Sequence, residues 1–281
     1  MFLTLKAFYW ESVKIFSKLR TYIGFITIAI LIPMIMLLVR KYGFDVQSTA
    51  FRSLENSFFF VGTLINGLLI SYYLMNVLWV HFPFFIVLVA GDVMAGEGAA
   101  GTFRMLLTRP ISRLQVVTSK FLATFLYTAA IVLFLGICSV GVGILVIGGG
   151  DLFVFDKGIL ILLQEEALFR FLLAYILAVW VQTTVAALAF LFSTISNNSV
   201  GPIIGTYAVI VVSLVLSVLR IDALESIKPY LFTSYFEVFF APFSNPIPWH
   251  EILSDVIHLS AFILIFYLIS VVVFMRKDIC T

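Results

Sequence analysis

The chain has 281 residues, of which 62% are hydrophobic, 16% aromatic and only 11% charged, and its formal net charge is +2. Soluble globular proteins carry roughly 25% charged residues, so this composition excludes an ordinary soluble domain and indicates a protein whose solvent is the lipid bilayer. The small net charge and the lack of a basic tract argue against a nucleic-acid partner.

Residues 1–20 are predicted to form an amphipathic helix that lies flat on the membrane surface. Apolar side chains recur at helical spacing along one stripe, while lysines and a glutamate lie elsewhere on the helix. Tyr9 and Trp10 suit the headgroup region, which favours this interpretation over a cytosolic helix packed against a partner. No short apolar core with a small-residue cleavage site occurs here, so a cleavable signal peptide is not predicted.

Six segments are predicted to be transmembrane helices, because each approaches or exceeds the roughly 20 apolar residues that cross the hydrocarbon layer. They are residues 22–39, 68–91, 121–147, 171–194, 200–219 and 257–275. The uncharged run around the second span is too long for one upright helix, so residues 58–67 are either a helical extension or a re-entrant piece. The predicted fold class is an all-α integral membrane protein with one transmembrane domain over residues 1–281.

The segment 220–256 reads as neither a span nor a simple linker. It alternates aromatic residues with prolines, and we expect short helices that lie at the extracytoplasmic surface. Lys and Arg are more frequent in the segments that lie inside when the N- and C-termini are cytoplasmic, which predicts that orientation. Residues 92–120 then form a cytoplasmic loop.

The predicted cytoplasmic loop begins with "GDVMAGEGAAGTFRMLLTRPISR", residues 91–113. Its glycines weaken helix continuation after the second span, so the chain can turn. Residues 102–108 can form a short amphipathic helix, which ends before Pro110. Ser112 and Gln115 make a capping-box pattern, which predicts that the next helix starts directly after Ser112. The alternative interpretation is a well-capped loop that only connects two spans.

The same region resembles the signature loop of type-2 ABC (ATP-binding-cassette) exporter permeases. The sequence "DVMAGEGAAGTFRMLLTRPISRLQVVTSKFLA" carries the resemblance, and the closing "FMRKDI", residues 274–279, is similar to the C-terminus of that family. The matching positions are Asp92, Ala95, Glu97, Gly101, Thr102, Arg104, Leu107, Pro110, Ser112, Arg113, Lys120 and Phe121. The resemblance covers the whole chain in layout but is motif-specific over only some thirty residues.

The resemblance implies that the loop is a coupling helix that docks on a separate ATPase subunit. The residues implied in docking are Glu97, Gly101, Thr102, Phe103, Arg104, Leu107, Arg109, Pro110 and Arg113. Two ATPase subunits are expected, and they would bind ATP and Mg²⁺. This chain has no "GxxxxGK[ST]" run, so neither a cofactor of its own nor an enzymatic activity is expected. The resemblance also implies a multi-pass protein of the cell inner membrane that pairs as a homodimer or with a close homologue.

Three polar residues inside the predicted spans are candidates for lining a substrate pathway: Asn76, His81 and Gln182. The alternative, which we favour, is that they bond neighbouring helices to one another, a role worth under about 1 kcal/mol for each residue. The histidines and cysteines are scattered without ligand spacing, so no metal site is predicted.

The function expected from the sequence is that of a permease subunit that couples ATP hydrolysis by its partner to substrate export. An alternative use of the same architecture is to transmit ATP-driven motion to an extracytoplasmic partner at residues 220–256. An ion-coupled secondary transporter is disfavoured because no repeat of the two chain halves is visible. A membrane enzyme is disfavoured because no convergent catalytic set is visible.

Overall fold

The computed structural model describes residues 2–51, 65–103, 111–155, 159–219, 225 and 228–277. This part of the chain is mostly helical, as predicted. Its helices are α1 (Phe2–Ser17), α2 (Leu19–Phe51), α3 (Gly67–Leu78), α4 (Phe82–Ala90), α5 (Ala95–Ala99), α6 (Arg113–Gly136), α7 (Val142–Val146), α8 (Gln164–Ile195), α9 (Val200–Val218) and α10 (Trp249–Arg276). A hairpin of β1 (Leu152–Phe155) and β2 (Ile159–Leu162) and two 3-10 segments, Lys228–Tyr230 and Phe232–Phe243, complete it.

Six helical segments of the described chain are long and apolar enough to cross a membrane, so the protein is a multi-pass membrane protein. They are Leu19–Gly43, Phe82–Ala99, Arg113–Val146, Gln164–Ile195, Val200–Ser217 and Trp249–Arg276. The predicted spans 22–39, 171–194 and 257–275 lie inside α2, α8 and α10, which continue beyond them on both sides. Hydropathy marks the part of a helix that suits hydrocarbon, and the helix itself ends where its backbone is capped.

The second predicted span, residues 68–91, is not one helix but two. The helical pattern breaks after α3, and the amide of His81 bonds the carbonyl of Leu78 at 3.0 Å in a tight turn. Pro83 explains the break, because it has no amide hydrogen and its ring crowds the carbonyl of Trp79, four residues earlier. Of the residues left open as an extension or a re-entrant piece, 58–64 lie outside the described ranges.

The third span contains a π-helical turn, Ile137–Gly141, between α6 and α7. The carbonyl of Ser139, within this turn, accepts a hydrogen bond from Ser71 Oγ of α3 at 2.8 Å. The Ser139 hydroxyl in turn lies 2.6 Å from the hydroxyl of Tyr175 in α8. Here α3 crosses α7 very closely, since a Cβ atom on Gly67 would lie only 2.2 Å from the backbone of Gly143. The irregular turn and the glycine crossing hold three helices together.

The hairpin of β1 and β2 departs from the all-α prediction. The strands pair antiparallel, with Leu152 opposite Leu162, and both of these side chains are buried. Strands of four residues are too short to give a clear alternation in the sequence, so no strand was predicted here.

The segment in which short helices were predicted contains the 3-10 segment Phe232–Phe243, which packs one side against the neighbouring helices. Phe236 is fully buried, and its ring lies 6.0 Å from that of Trp79. Arg170 of α8 fixes the end of the segment by donating to the carbonyls of Pro242 at 2.8 Å and Ser244 at 2.7 Å. Of residues 220–227, only residue 225 is among the described ones.

Candidate functional site

The polar segment that follows α4 is fastened by a ring of four alternating charges. Lys14 Nζ lies 2.8 Å from Glu11 Oε1 and 3.0 Å from Glu97 Oε1. Lys120 Nζ lies 2.6 Å from Glu11 Oε2 and 2.8 Å from Glu97 Oε1. We call Glu11, Lys14, Glu97 and Lys120 the ionic ring; it joins α1, α5 and α6.

Lys120 is the buried centre of the ionic ring. Its side chain is 1% exposed, against 9% for Glu11, 15% for Glu97 and 48% for Lys14. A buried ammonium group is tolerated only when it is paired and hydrogen-bonded, and both carboxylates meet this need. Burial alone would lower the pKa of Lys14, but its bonds and attraction to Glu11 and Glu97 raise that pKa above its usual value. The ring therefore favours the charged form of Lys14.

Asp92 makes a second ionic contact with the N-terminal region. Its carboxylate is buried and lies 3.1 Å from Lys18 Nζ, and it also pairs with Arg20. Burial, followed by the positive charges of Arg20 and Lys120, lowers the pKa of Lys18. Both acids of the segment are thus held by cations of the chain itself.

The start of α5 is also bonded to α8. Ser193 Oγ accepts hydrogen bonds from the backbone amides of Met94 at 3.0 Å and Ala95 at 2.9 Å. These amides stand at the first turn of α5, where no intrahelical partner exists for them. The segment between Gly91 and Phe103 is therefore attached to four helices at once: α1, α2, α6 and α8.

Two cations cap the helices that end beside this segment. Arg113 Nη1 donates to the carbonyls of Phe274, Met275 and Lys277 at 3.2, 3.0 and 2.8 Å, respectively. Lys277 Nζ donates to the carbonyls of Thr194 at 2.9 Å and Ser196 at 3.1 Å. Cations at these positions satisfy orphan carbonyls and complement the helix dipole. We call this part of the molecule the terminal end: α1, residues 91–103, the start of α6 and the ends of α8 and α10.

The predicted capping box at the start of α6 is confirmed. The amide of Gln115 donates to Ser112 Oγ at 3.2 Å, and the amide of Ser112 donates to Gln115 Oε1 at 3.0 Å. The helix starts at Arg113, as expected from the pattern. This cap fixes the direction in which Arg113 meets the end of α10.

The predicted docking residues fall into three groups. The first group makes contacts within the chain and consists of Glu97, Phe103 and Arg113. Phe103, for example, is 5% exposed, and its ring lies 5.2 Å from that of Phe274. Gly101 and Thr102 are exposed, and Gly101 has a φ of +66°, which suits glycine in this turn. The remaining four, Arg104, Leu107, Arg109 and Pro110, lie outside the described residues.

The predicted pathway residues do not share one environment. Asn76 and His81 are exposed on the outside of the bundle, where His81 Nδ1 lies 3.2 Å from the carbonyl of Val77. Gln182 is 4% exposed within α8, and its Oε1 has no hydrogen-bond partner among the described residues. In the same ranges no cluster of three or more His, Cys, Asp or Glu residues could hold a metal ion.

Sequence reasoning missed the partners that complete the site. Glu11, Lys14 and Lys18 were interpreted as the charged surface of an amphipathic helix, and Lys120 entered only through the family resemblance. The one local signal was Lys120 itself, a lysine followed directly by a long apolar run. A lysine at that position must find a carboxylate, but the sequence does not say which one.

A family model described as "Protein of unknown function (DUF2705)" matches residues 26–280, so the chain belongs to that family. The chain is also similar to the "Uncharacterized protein YhcI" of Bacillus subtilis (strain 168), at 27% identity over 121 residues. That match covers 41% of this chain and 38% of the relative. The description of the family and the name of the relative state no activity.

Proposed function

We propose that this member of the DUF2705 family is the membrane-spanning permease subunit of an ATP-binding-cassette exporter. A separate ATPase subunit binds ATP and Mg²⁺, and its closure moves the permease helices. Two permease subunits, alike or closely related, form the path, and two ATPases dock on the loop that follows residue 103. In this proposal the terminal end faces the cytoplasm, and the membrane is the cell inner membrane.

The observation that carries the proposal is the ionic ring. It fastens the segment before the docking loop to α1 and α6, while Ser193 fastens the same segment to α8. A loop that only connected two spans would not need a buried lysine held by two carboxylates from separate elements. Any displacement of α5 by a docked protein is passed directly to three helices, because these contacts cannot stretch without separating buried charges.

The docking surface in this proposal is the exposed part of the loop. Glu97 and Arg113, which the sequence resemblance assigned to docking, serve instead to hold the loop in place, since their charged groups bond within the chain. Thr102 is exposed and stands at the turn where the described segment ends. We assign the direct contact to Thr102 and the residues after it, including Arg104 and Leu107.

The N-terminal helix supports a membrane setting at the terminal end. It buries Glu11 and Ser12 and exposes Tyr9 and Trp10, each 61% exposed. A soluble helix would show the opposite arrangement, whereas an interfacial helix places aromatic side chains in the headgroup region. In the proposed function, α1 rests on the inner leaflet and braces the ionic ring from the lipid side.

A second candidate function uses the same parts to move an extracytoplasmic partner instead of a substrate. The observation that favours it is at the end of the molecule opposite the terminal end, where a cavity of about 400 Å³ is lined by Glu237, Glu251 and Asp255 together with aromatic side chains. Arg170 ties the wall of this cavity to α8, whose other end is bonded to α5 and Lys277. Motion of α8 would then reach this surface.

The test is the recovery of an ATPase with the detergent-solubilised chain from its native membrane. Wild type, Arg104→Glu and the matched charge reversal Arg40→Glu, on the exposed surface of α2, are compared. We expect an ATPase with wild type and Arg40→Glu and a large loss with Arg104→Glu. Equal recovery with all three proteins would move docking away from this loop. The absence of an ATPase from every sample would contradict the exporter proposal and favour ion-coupled transport.

A further inference from the structure

We propose that the groove between α9 and α10 binds one acyl chain of a phospholipid, in the leaflet farther from the terminal end. The groove has a volume of about 520 Å³. Val209, Val212 and Leu216 of α9 form one wall, and Phe262 and Phe266 of α10 form the other. The inference goes beyond the exporter proposal and does not depend on it, because it needs only that α9 and α10 span the membrane.

The floor of the groove is Phe232, at the start of the longer 3-10 segment, which packs against both helices. Phe232 is 6% exposed, and its ring lies 6.2 Å from the ring of Phe262 and 6.2 Å from that of Phe266. The Ser213 hydroxyl, in the α9 wall, lies 2.8 Å from the hydroxyl of Thr233, and both side chains are buried. The hydroxyl of the wall is thus already bonded, and the groove presents an apolar surface to its occupant.

The depth of the groove along the two helices places it in one leaflet. At about 1.5 Å per residue, Val209 and Leu216 lie about 14 and 24 Å from the start of α9, which is beside the terminal end. Phe266 lies about 15 Å from Arg276, at the same end of α10. The hydrocarbon layer is about 30 Å thick, so the groove begins near its middle and runs away from the terminal end. It therefore runs in the direction of the acyl chains of that leaflet.

The size of the groove favours a lipid chain over a helix of a second copy. The wall from Val209 to Leu216 is about 10 Å long, so a volume of about 520 Å³ corresponds to a mean cross-section of about 50 Å². An α-helix with its side chains is about 10–12 Å across, which gives a cross-section of at least about 80 Å². A helix would therefore not enter the groove, whereas an acyl chain carries no side chains and is much thinner.

The mouth of the groove suits a phosphate headgroup. Tyr230 lines it and is 78% exposed, as aromatic side chains are at the level of lipid headgroups. Lys228 begins the same 3-10 turn and brings a positive charge to this level. Within hydrocarbon the hydrophobic effect does not favour one apolar surface over another, so the affinity has to come from close packing and from the headgroup. A molecule with both an acyl chain and a phosphate meets these two requirements.

Photolabelling of the purified full chain in detergent tests the site. The probe is phosphatidylglycerol with a diazirine in its acyl chain, and the labelled peptides are identified by mass spectrometry. Val212→Trp fills the groove, and Val211→Trp, at the neighbouring exposed position of α9 that does not line it, is the matched control. We expect saturable labelling of residues 208–216 and 262–266, which falls at least about fivefold in Val212→Trp and is unchanged in Val211→Trp.

Three results of this experiment would overturn the inference. Labelling spread evenly over all exposed helices would show ordinary contact with bulk lipid. Equal labelling of the two tryptophan variants would show that the probe does not enter the groove. Labelling that appears only after dimers of the chain are dissociated would show that a second copy covers it. Thermal unfolding without added lipid confirms that each variant is folded.

The headgroup contact has a test of its own. Lys228→Gln should weaken binding of the probe about fivefold, since one lysine near an anionic lipid surface contributes about 1 kcal/mol. Lys41→Gln removes an exposed lysine from the same end of the molecule and should leave binding unchanged. Equal binding by wild type and Lys228→Gln would contradict the assignment to a phospholipid. Displacement of the probe by inorganic phosphate alone would contradict the role of the acyl chain.

Discussion

Lys120 Nζ lies 2.6 Å from Glu11 Oε2, and this contact joins residues that are 109 positions apart in the chain. It sets the charged face of the N-terminal helix against the first turns of α6 rather than towards water. Glu97 closes the arrangement from the other side at 2.8 Å. The stability of the terminal end therefore depends on one buried ammonium group.

Replacement of Lys120 by methionine is expected to destabilise the protein strongly. Methionine keeps most of the volume but leaves Glu11 and Glu97 buried close to one another without their main cation. Removing one partner of a buried ion pair costs about 3–5 kcal/mol, so we expect this loss in the free energy of unfolding. Lys14→Met is the control: that side chain is 48% exposed, and its loss should be about 1 kcal/mol or less. If thermal unfolding in detergent showed similar losses of stability for Lys120→Met and Lys14→Met, a buried role for Lys120 would be contradicted.

Arg113→Gln is expected to free the end of α10. The guanidinium bonds three carbonyls there, and hydrogen bonds to charged groups contribute about 1.5–3 kcal/mol. Hydrogen exchange of residues 270–277 should become faster in the variant. Arg276→Gln removes an exposed charge from the same last turn, without touching the Arg113 bonds, and should change stability by no more than about 0.5 kcal/mol. Unchanged exchange in Arg113→Gln would show that this cap does not hold the helix end.

Gly67→Ala is expected to push α3 away from α7. A Cβ atom at this position would lie 2.2 Å from the Gly143 backbone, so the helices must separate and the Ser71–Ser139 bond must lengthen. Overpacking of this kind costs about 1–3 kcal/mol, measured as a fall in the thermal midpoint. Gly141→Ala is the matched control, because no atom lies within 4 Å of a Cβ there. A midpoint lowered equally by both substitutions would argue against the close crossing.

Gln182→Leu is expected to leave the free energy of unfolding unchanged or to raise it. The Gln182 Oε1 atom is buried without a partner in the described chain, and the loss of such a group removes a desolvation cost of about 1–3 kcal/mol. Tyr175→Phe is the contrasting variant, since it removes a hydroxyl that lies 2.6 Å from Ser139 Oγ and should cost about 1 kcal/mol. If Gln182→Leu destabilised the protein as much as Tyr175→Phe, Gln182 would form a hydrogen bond between helices and would no longer be a candidate pathway residue.

The helical membrane fold and the capping box at Ser112 could be predicted because their signals are local. Apolar runs mark transmembrane spans, and a capping box depends on two residues that are three positions apart in the sequence. The hairpin Leu152–Leu162 could not be predicted, because strands of four residues are too short to show a clear alternation of apolar and polar residues. The orientation of Phe103 and Arg113 could not either: an arginine and a phenylalanine in a loop suit a partner protein and the chain's own helix end equally well. Only the packing of α10 decides between these two.

The ionic ring shows the same limit more sharply. Each of its members has an ordinary local explanation, on an amphipathic helix or at the edge of a span. Their joint role depends on bringing residues 11, 97 and 120 together, which only the folded chain does. The position of the polar segment after α4, in contrast, was available from sequence, because this segment interrupts two long apolar runs.

The most direct test of the proposed docking is site-specific photo-cross-linking at Thr102 in native membranes. Thr102 is exposed at the turn that precedes the docking loop, and a photoreactive residue there reports only immediate neighbours. The exporter proposal predicts an adduct with a protein that carries a "GxxxxGK[ST]" nucleotide-binding run, identified by mass spectrometry, and no such adduct from the same photoreactive residue at Arg40. Adducts at Thr102 with lipid or with this chain alone, under conditions where the chain is intact in the membrane, would contradict it.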